Sequence, residues 1–118
     1  MKRIIVFLCL LGFVIGCKQT DNIETLTAKA EKGDAEAQYN LAKCYYDGKE
    51  VEQSFEKAAE WFEKAAQQGY AKAQYFLGLC YDKGEGVEIS KEKALYWFIK
   101  SCDNSYEPAC ELLNKIKD

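Results

Sequence analysis

Histidine is absent from this 118-residue chain. That one absence removes Ser-His and Cys-His nucleophilic catalysis and every metal site that relies on imidazole. Proline occurs once, against a 14% aromatic content, which excludes a proline-rich linker and low complexity. An excess of positive charge is also lacking. Lys and Arg number 16 against 19 Asp and Glu, a net of −3, so there is no basic footprint for nucleic acid. No Cys-x-x-Cys pair is present to support thiol exchange. What the chain does have, 48% hydrophobic and 30% charged residues, is the composition of one soluble globular domain. Six cysteines are many for a cytosolic protein of this size and point to an oxidising compartment.

The amino-terminal segment reads as an export signal over residues 1–16. Lys2 and Arg3 form a charged n-region, and Ile4 to Ile15 form an apolar stretch. As a helix that stretch spans about 18 Å, short of the ~30 Å hydrocarbon core. It closes Val14-Ile15-Gly16-Cys17, which resembles the bacterial lipoprotein box. The resemblance implies cleavage before Cys17, acylation of its thiol and a stable anchor from two or more chains. Lys18 stands where an Asp commonly retains such proteins in the inner membrane, so the resemblance favours the outer membrane, facing the periplasm. An ordinary secretory signal with a chance Cys is the alternative, giving a periplasmic or secreted protein. Losing Lys2 and Arg3 leaves 14 basic residues against 19 acidic, a net of −5. Residues 17–22 would then tether a domain spanning 23–118.

The decisive feature is internal periodicity. Residues 35–70 laid on 71–106 without gaps are identical at 18 of 36 positions, among them Leu41/Leu77, Cys44/Cys80, Tyr45/Tyr81, Gly48/Gly84, Ala58/Ala94 and Trp61/Trp97. Each unit holds two helical patterns. Ala37, Leu41, Cys44 and Tyr45 form one apolar stripe, with Asp34 as its N-cap and Gly48 near its end. Ser54 and Ser90 stand where a cap is wanted ahead of the second helix, which carries Ala58, Trp61, Phe62 and Ala65 and closes at Gly69. A helix pair of this length cannot bury both apolar faces alone, so neighbouring pairs must stack.

These residues resemble the Sel-one-like repeat, a relative of the tetratricopeptide repeat. The second unit shows the pattern as Ala73, Leu77, Gly78, Tyr81, Gly84, Gly86, Val87, Lys93, Ala94, Trp97, Phe98 and Lys100. The first shows Ala37, Leu41, Tyr45, Gly48, Val51, Lys57, Ala58, Trp61, Phe62, Lys64, Ala65, Ala66 and Gly69. Departures are Ala42 and Glu50 for glycines, Ser54 and Ser90 for Asp, and Ser101-Cys102 for Ala-Ala. Glu50 is expected to distort the first inter-helix turn if that position needs positive φ. Residues 23–32 supply a leading half-repeat and 107–117 a terminal capping helix. The expected fold is an all-α solenoid of about six helices.

Cys102 and Cys110 lie eight residues apart across a tight inter-helix turn, which brings such positions to disulfide distance. The spacing resembles that of the Helicobacter cysteine-rich protein family, where every repeat carries such a bridge. Here the first inter-repeat junction has Ala66 and Gln74 instead. A bridge would contribute roughly 2–3 kcal/mol; two free thiols are the alternative. Cys44 and Cys80 read as small hydrophobes on the apolar stripe. No metal site is expected, and no cofactor.

Some members of the cysteine-rich family have been described as binding or hydrolysing β-lactams, so catalysis must be weighed. Ser-x-x-Lys occurs at Ser54–Lys57 and Ser90–Lys93. Both copies fall where a helix cap is required, and neither Ser-Asp-Asn nor Lys-Thr-Gly is present, so no catalytic residue is expected. A binding scaffold is the stronger expectation, with a protein or peptide lying against a concave face lined by the first helices. Spacing puts Glu36, Asn40, Lys43 and Asp47 on that face in the first repeat, and Lys72, Phe76, Leu79 and Lys83 in the second. Phe76 and Leu79 are expected to be exposed, an apolar pair ringed by Lys72 and Lys83 that suits an acidic-hydrophobic peptide. Alternatively, the terminal helix folds over them. The whole is expected to be a lipid-anchored envelope protein that mediates protein–protein contacts.

Overall fold

The computed structural model describes residues 22–117. The expected signal peptide, the Cys17 lipid site and the tether up to Asp21 lie outside the described residues, as does Asp118.

Six helices follow one another: α1 (Ile23–Glu31), α2 (Ala35–Asp47), α3 (Phe55–Gln67), α4 (Ala71–Lys83), α5 (Lys91–Asp103) and α6 (Glu107–Lys117). Among the described residues there is no strand. Caps set the boundaries. Asn22 Oδ1 accepts from the Thr25 amide (2.8 Å) and Asp34 Oδ1 from Ala37 (3.1 Å). Ser54 and Ser90 each accept from the amide three residues on, at 3.2 Å. Each such cap satisfies an orphan helix donor and contributes about 1 kcal/mol. Tyr70, which opens α4, has no capping side chain. Gly48 and Gly84 end α2 and α4 in the left-handed conformation.

Each helix packs on its sequence neighbours, most extensively within the pairs α2–α3 and α4–α5. The main core gathers Ala42, Ala58, Ala59, Phe62, Ala65, Ala66, Ala73, Leu77 and Cys80. Six alanines in that cluster let the helices approach closely around one large ring, Phe62. Leu26 and Ala30 of α1 close the front of the stack over Ala37 and Leu41. Burying Leu41, Phe62 or Leu77 contributes roughly 1.5–3 kcal/mol each.

The turns between helix pairs are built twice from one plan. Gln38 Nε2 donates to the carbonyl of Ala30, and Gln74 Nε2 to that of Ala66, both at 3.0 Å. Gln68 and Asn104 then donate to the side-chain oxygens of Gln38 (2.8 Å) and Gln74 (2.9 Å). No buried side-chain nitrogen or oxygen among the described residues lacks a partner. At the third turn Cys102 and Cys110 form a disulfide, with Cα atoms 4.8 Å apart.

Glu50 takes φ +66°, and Gly86, its equivalent, takes +78°. The expected distortion of the first turn therefore takes the form of backbone strain: a side-chain-bearing residue adopts the glycine conformation. Ser105, at the position of Gly69, does the same with φ +72°. Gly86 has a second constraint, since a Cβ there would lie 2.1 Å from the Phe55 carbonyl oxygen. Glu50 is solvent-exposed.

Candidate functional site

The first helices of the two repeats, α2 and α4, present the residues expected to line a binding face. Glu36, Asn40 and Asp47 are exposed on α2 and Lys43 is half-buried; Lys72 and Lys83 are exposed on α4. Phe76 and Leu79 are half-buried, which corrects the expectation of a free apolar pair.

The reason for Phe76 lies in the first repeat. Its ring stacks on that of buried Phe62, with centroids 5.4 Å apart and planes 11° from parallel. Tyr39 and Tyr46 of α2 approach it at 5.9 and 6.5 Å, and Tyr75 of its own helix at 5.6 Å. Lys43 Nζ sits 4.7 Å from the ring centroid, a cation–π contact across the repeat boundary. The rings that meet Phe76 belong to α2, α3 and α4, and none to the terminal helix. Phe76 is therefore a packing residue of the inter-repeat seam, half-buried on the α2–α4 face.

Around that seam the tyrosine hydroxyls are held neutral. Burial pushes the Tyr39 hydroxyl up to about 12, with the neighbouring Tyr106, Tyr70 and Asp47 adding to the rise. Burial also raises Tyr46, as does the hydrogen bond its hydroxyl donates to Glu85 Oε1 (2.5 Å) in the loop of the second repeat. The fixed charges on the face are Glu36, Lys72, Lys83 and the loose Lys43–Asp47 pair at 3.9 Å. An exposed i,i+4 pair at that distance is worth little and can be exchanged for an incoming carboxylate. The surface is suited to holding an apolar side chain flanked by acidic groups.

The two Ser-x-x-Lys segments are structural in both repeats. Each serine Oγ is engaged by a backbone amide as a helix cap. Lys57 and Lys93 turn away onto rings: their Nζ atoms lie 5.5 Å from the Tyr45 centroid and 5.4 Å from that of Tyr81. Two open surface clefts of about 410 and 470 Å³ are lined by neither serine. Cys44 and Cys80 are free thiols, half-buried and fully buried, and burial pushes Cys80 up to about 12.

The structural roles of two sets of residues are not visible in the sequence. Gln38 and Gln74 are identical across the repeat, but a buried amide that ties helix to helix leaves no periodic signature separating it from a surface glutamine. By spacing Lys43 belongs to the polar set of the first repeat, although its contact is with the ring of the second.

The sequence matches the Sel1 repeat over residues 35–70 and again over 71–106, the two helix pairs α2–α3 and α4–α5. The chain belongs to the Sel1 repeat family. Sel1 repeats generally mediate protein–protein interaction and act as scaffolds without catalysis. Among solved structures, the chain is similar to a Sel1 repeat protein from Oxalobacter formigenes, with 40% identity and a TM-score of 0.74 over 77% of this chain and 26% of that one. It is also similar to c5321, a protective antigen of uropathogenic Escherichia coli with an SLR fold, at 40% identity and a TM-score of 0.73 over 76% of this chain and 19% of that one. The chain thus spans about a quarter and a fifth of those two Sel1 proteins. Helicobacter pylori cysteine rich protein B shares the fold, with a TM-score of 0.75 over 84% of this chain and 77% of that one, at 24% identity. No match was found among curated protein sequences.

Proposed function

We propose that this Sel1 repeat protein is a lipid-anchored component of the bacterial cell envelope that holds a protein or peptide partner on the face formed by α2 and α4. The observation that carries the binding reading is the aromatic seam at Phe76, roofed by Lys43 and flanked by the exposed Lys72 and Lys83. It suits an acidic segment bearing one apolar side chain. The lipoprotein-box likeness at Cys17 and the Cys102–Cys110 disulfide support an exported, anchored state. With residues 17–22 as the tether, the domain would sit close to the membrane, by preference the outer one, facing the periplasm.

A photo-crosslinking side chain placed at Lys72 or Leu79 tests the face against one placed at Lys64, on a second helix. Adducts from Leu79 that disappear with Lys72→Glu and Lys83→Glu, or from Lys72 that disappear with Lys83→Glu, support it, and equal adducts from all three positions refute it. Comparing the chain with its Cys17→Ser form in membrane fractionation tests the anchor: the lipidated form sediments with membranes and the serine form is released.

A further inference from the structure

One tyrosine arrangement occurs in both repeats. Tyr39 of α2 lies against Tyr70, which opens α4, with ring centroids 5.4 Å apart. One repeat on, Tyr75 of α4 lies against Tyr106, just ahead of α6, at 5.3 Å. Phe76 joins the two pairs, 5.9 Å from Tyr39 and 5.6 Å from Tyr75. The five rings form one continuous band across α2, α4 and the start of α6, and all are half-buried. Tyr70 and Tyr106 stand one and two repeats after Asp34, the residue that caps α2. At Tyr70 the fold forgoes a side-chain cap worth about 1 kcal/mol and carries a ring in its place.

The band is rich in hydrogen-bond donors that the fold does not use. Tyr46 donates to Glu85, but among the described residues the hydroxyls of Tyr39, Tyr70, Tyr75 and Tyr106 meet no hydrogen-bond partner. They lie near one another. Burial raises the Tyr39 hydroxyl and the neighbouring Tyr106 and Tyr70 add to the rise; burial and then Tyr106 raise Tyr75. The charges around the band are of both signs, with Asp34, Glu36, Glu107 and Glu111 exposed on one hand and Lys72 on the other. The band itself is uncharged, and what it asks of a ligand is apolar surface together with free acceptors.

Backbone conformation then narrows the occupant. A helical segment has its carbonyls engaged internally, and a strand brings N–H groups that need acceptors of their own. A polyproline II segment has every carbonyl free, and its prolines carry no N–H to be left unsatisfied against the rings. Its turn of three residues advances about 9 Å. The two ring contacts through Phe76 set Tyr39 and Tyr75 within reach of one such turn. Lys43 covers the Phe76 ring, so the surfaces offered to prolines are the tyrosine pairs on either side of it.

We propose that the tyrosine pairs Tyr39–Tyr70 and Tyr75–Tyr106 form a binding site for a proline-rich protein segment in the polyproline II conformation. Its prolines lie on the two pairs and its carbonyls accept from the tyrosine hydroxyls. The inference rests on the α2–α4 face being the partner face and adds the backbone conformation of the partner. An acidic group of that partner belongs beside Lys83, at the far end of α4.

Fluorophore-labelled nonaproline and a Gly-Ser peptide of equal length, each titrated with the purified full chain, test this. The expected result is saturable binding of nonaproline and none of the Gly-Ser peptide. Tyr39→Phe with Tyr75→Phe keeps both rings and removes two hydroxyls that bond to nothing in the fold. Affinity should fall about tenfold with Tm unchanged. Lys83→Glu should leave nonaproline binding as it is, which separates this site from capture of an acidic segment. No saturable binding of nonaproline, equal binding of the Gly-Ser peptide, or binding indifferent to the lost hydroxyls would each overturn the proposal. If nonaproline fails while an acidic, proline-free peptide binds and is lost with Lys83→Glu, the polyproline site is refuted and the acidic reading of the face stands. Failure of both peptides refutes both.

Discussion

Cys110 reaches back eight residues to Cys102 at the register where, one repeat earlier, Gln74 reaches back eight residues to the carbonyl of Ala66. A disulfide and an amide hydrogen bond thus serve one structural purpose, pinning the start of a first helix to the end of the second helix before it. Cys102→Ala with Cys110→Gln rebuilds the internal junction at the terminal one. Loss of the bridge should cost roughly 2–3 kcal/mol in the chain-entropy account, and the new amide should return about 1 kcal/mol. Thermal unfolding should therefore rank the native chain first, Ala/Gln second and Ala/Ala last. Reductant should affect the native chain alone. An Ala/Ala variant as stable as Ala/Gln would show that the glutamine contributes nothing.

Glu50 and Ser105 hold left-handed backbone at φ +66° and +72°. Relief of that strain outweighs the extra unfolded-state entropy of glycine, so Glu50→Gly and Ser105→Gly should each add about 0.5–1 kcal/mol. For a domain of this size that is a rise of several degrees in Tm. Gly86→Ala should act oppositely, because it meets both the φ penalty and the Phe55 carbonyl. Calorimetry of the three variants checks the signs independently.

Much of this fold was legible because the chain writes it twice. Pairs such as Leu41/Leu77 and Trp61/Trp97 set the period, and Asp34, Ser54 and Ser90 cap where local chemistry says they should. Cys102 and Cys110 were readable for a different reason, since a bridge over eight residues needs only the turn between two helices. Phe76 was not legible. Helical spacing fixes which side of α4 it occupies but not how far α2 and α3 lean toward it, and that lean decides whether its ring meets water or Phe62.

The two free thiols should differ sharply in reactivity. Cys44 is half-buried, with its pKa raised first by burial and then by Glu50, while Cys80 is fully enclosed and pushed up to about 12. A thiol reagent at neutral pH should label Cys44 slowly and Cys80 only through global unfolding. The same shifts set an alkaline limit. A group whose folded pKa is raised contributes stability that is complete below its unfolded pKa and is lost as pH climbs through the folded value. For Cys80 the loss begins near 9, and for Tyr39 and Tyr46 near 10. Denaturant midpoints should be flat through neutrality and decline above about pH 9. Cys80→Ala should remove the earliest part of the decline.

Ser90 separates a capping role from a nucleophilic one. Its hydroxyl accepts from the Lys93 amide at 3.2 Å, and the Lys93 ammonium lies over Tyr81 instead of serving as a base. Ser90→Ala should cost about 1 kcal/mol through loss of the cap. Ser90→Asp, the residue of the repeat pattern, should restore that stability while abolishing any serine chemistry. Stability that falls and recovers in this order, with no β-lactam turnover in any form, fits the scaffold. Turnover lost in both variants would place an acyl-transfer centre here.

Phe76 and its neighbours on α4 differ in what their removal should do. Phe76→Ala strips a ring stacked on Phe62 and roofed by Lys43, so a cavity opens in the seam between repeats. With the ring half-buried, the loss should be about 2 kcal/mol, below the 3–5 typical of a fully enclosed phenylalanine. Unfolding should lose cooperativity as the repeats uncouple. Lys83→Glu touches no packed group and should leave stability within about 0.5 kcal/mol, yet it reverses the charge at one end of the α2–α4 face. If that face binds an acidic segment, Lys83→Glu must weaken capture in a chain that melts like the native one. Phe76→Ala must weaken it only alongside a lower Tm. Capture that tracks Tm alone, and ignores Lys83→Glu, would assign these side chains to holding the repeats together and move the partner surface elsewhere.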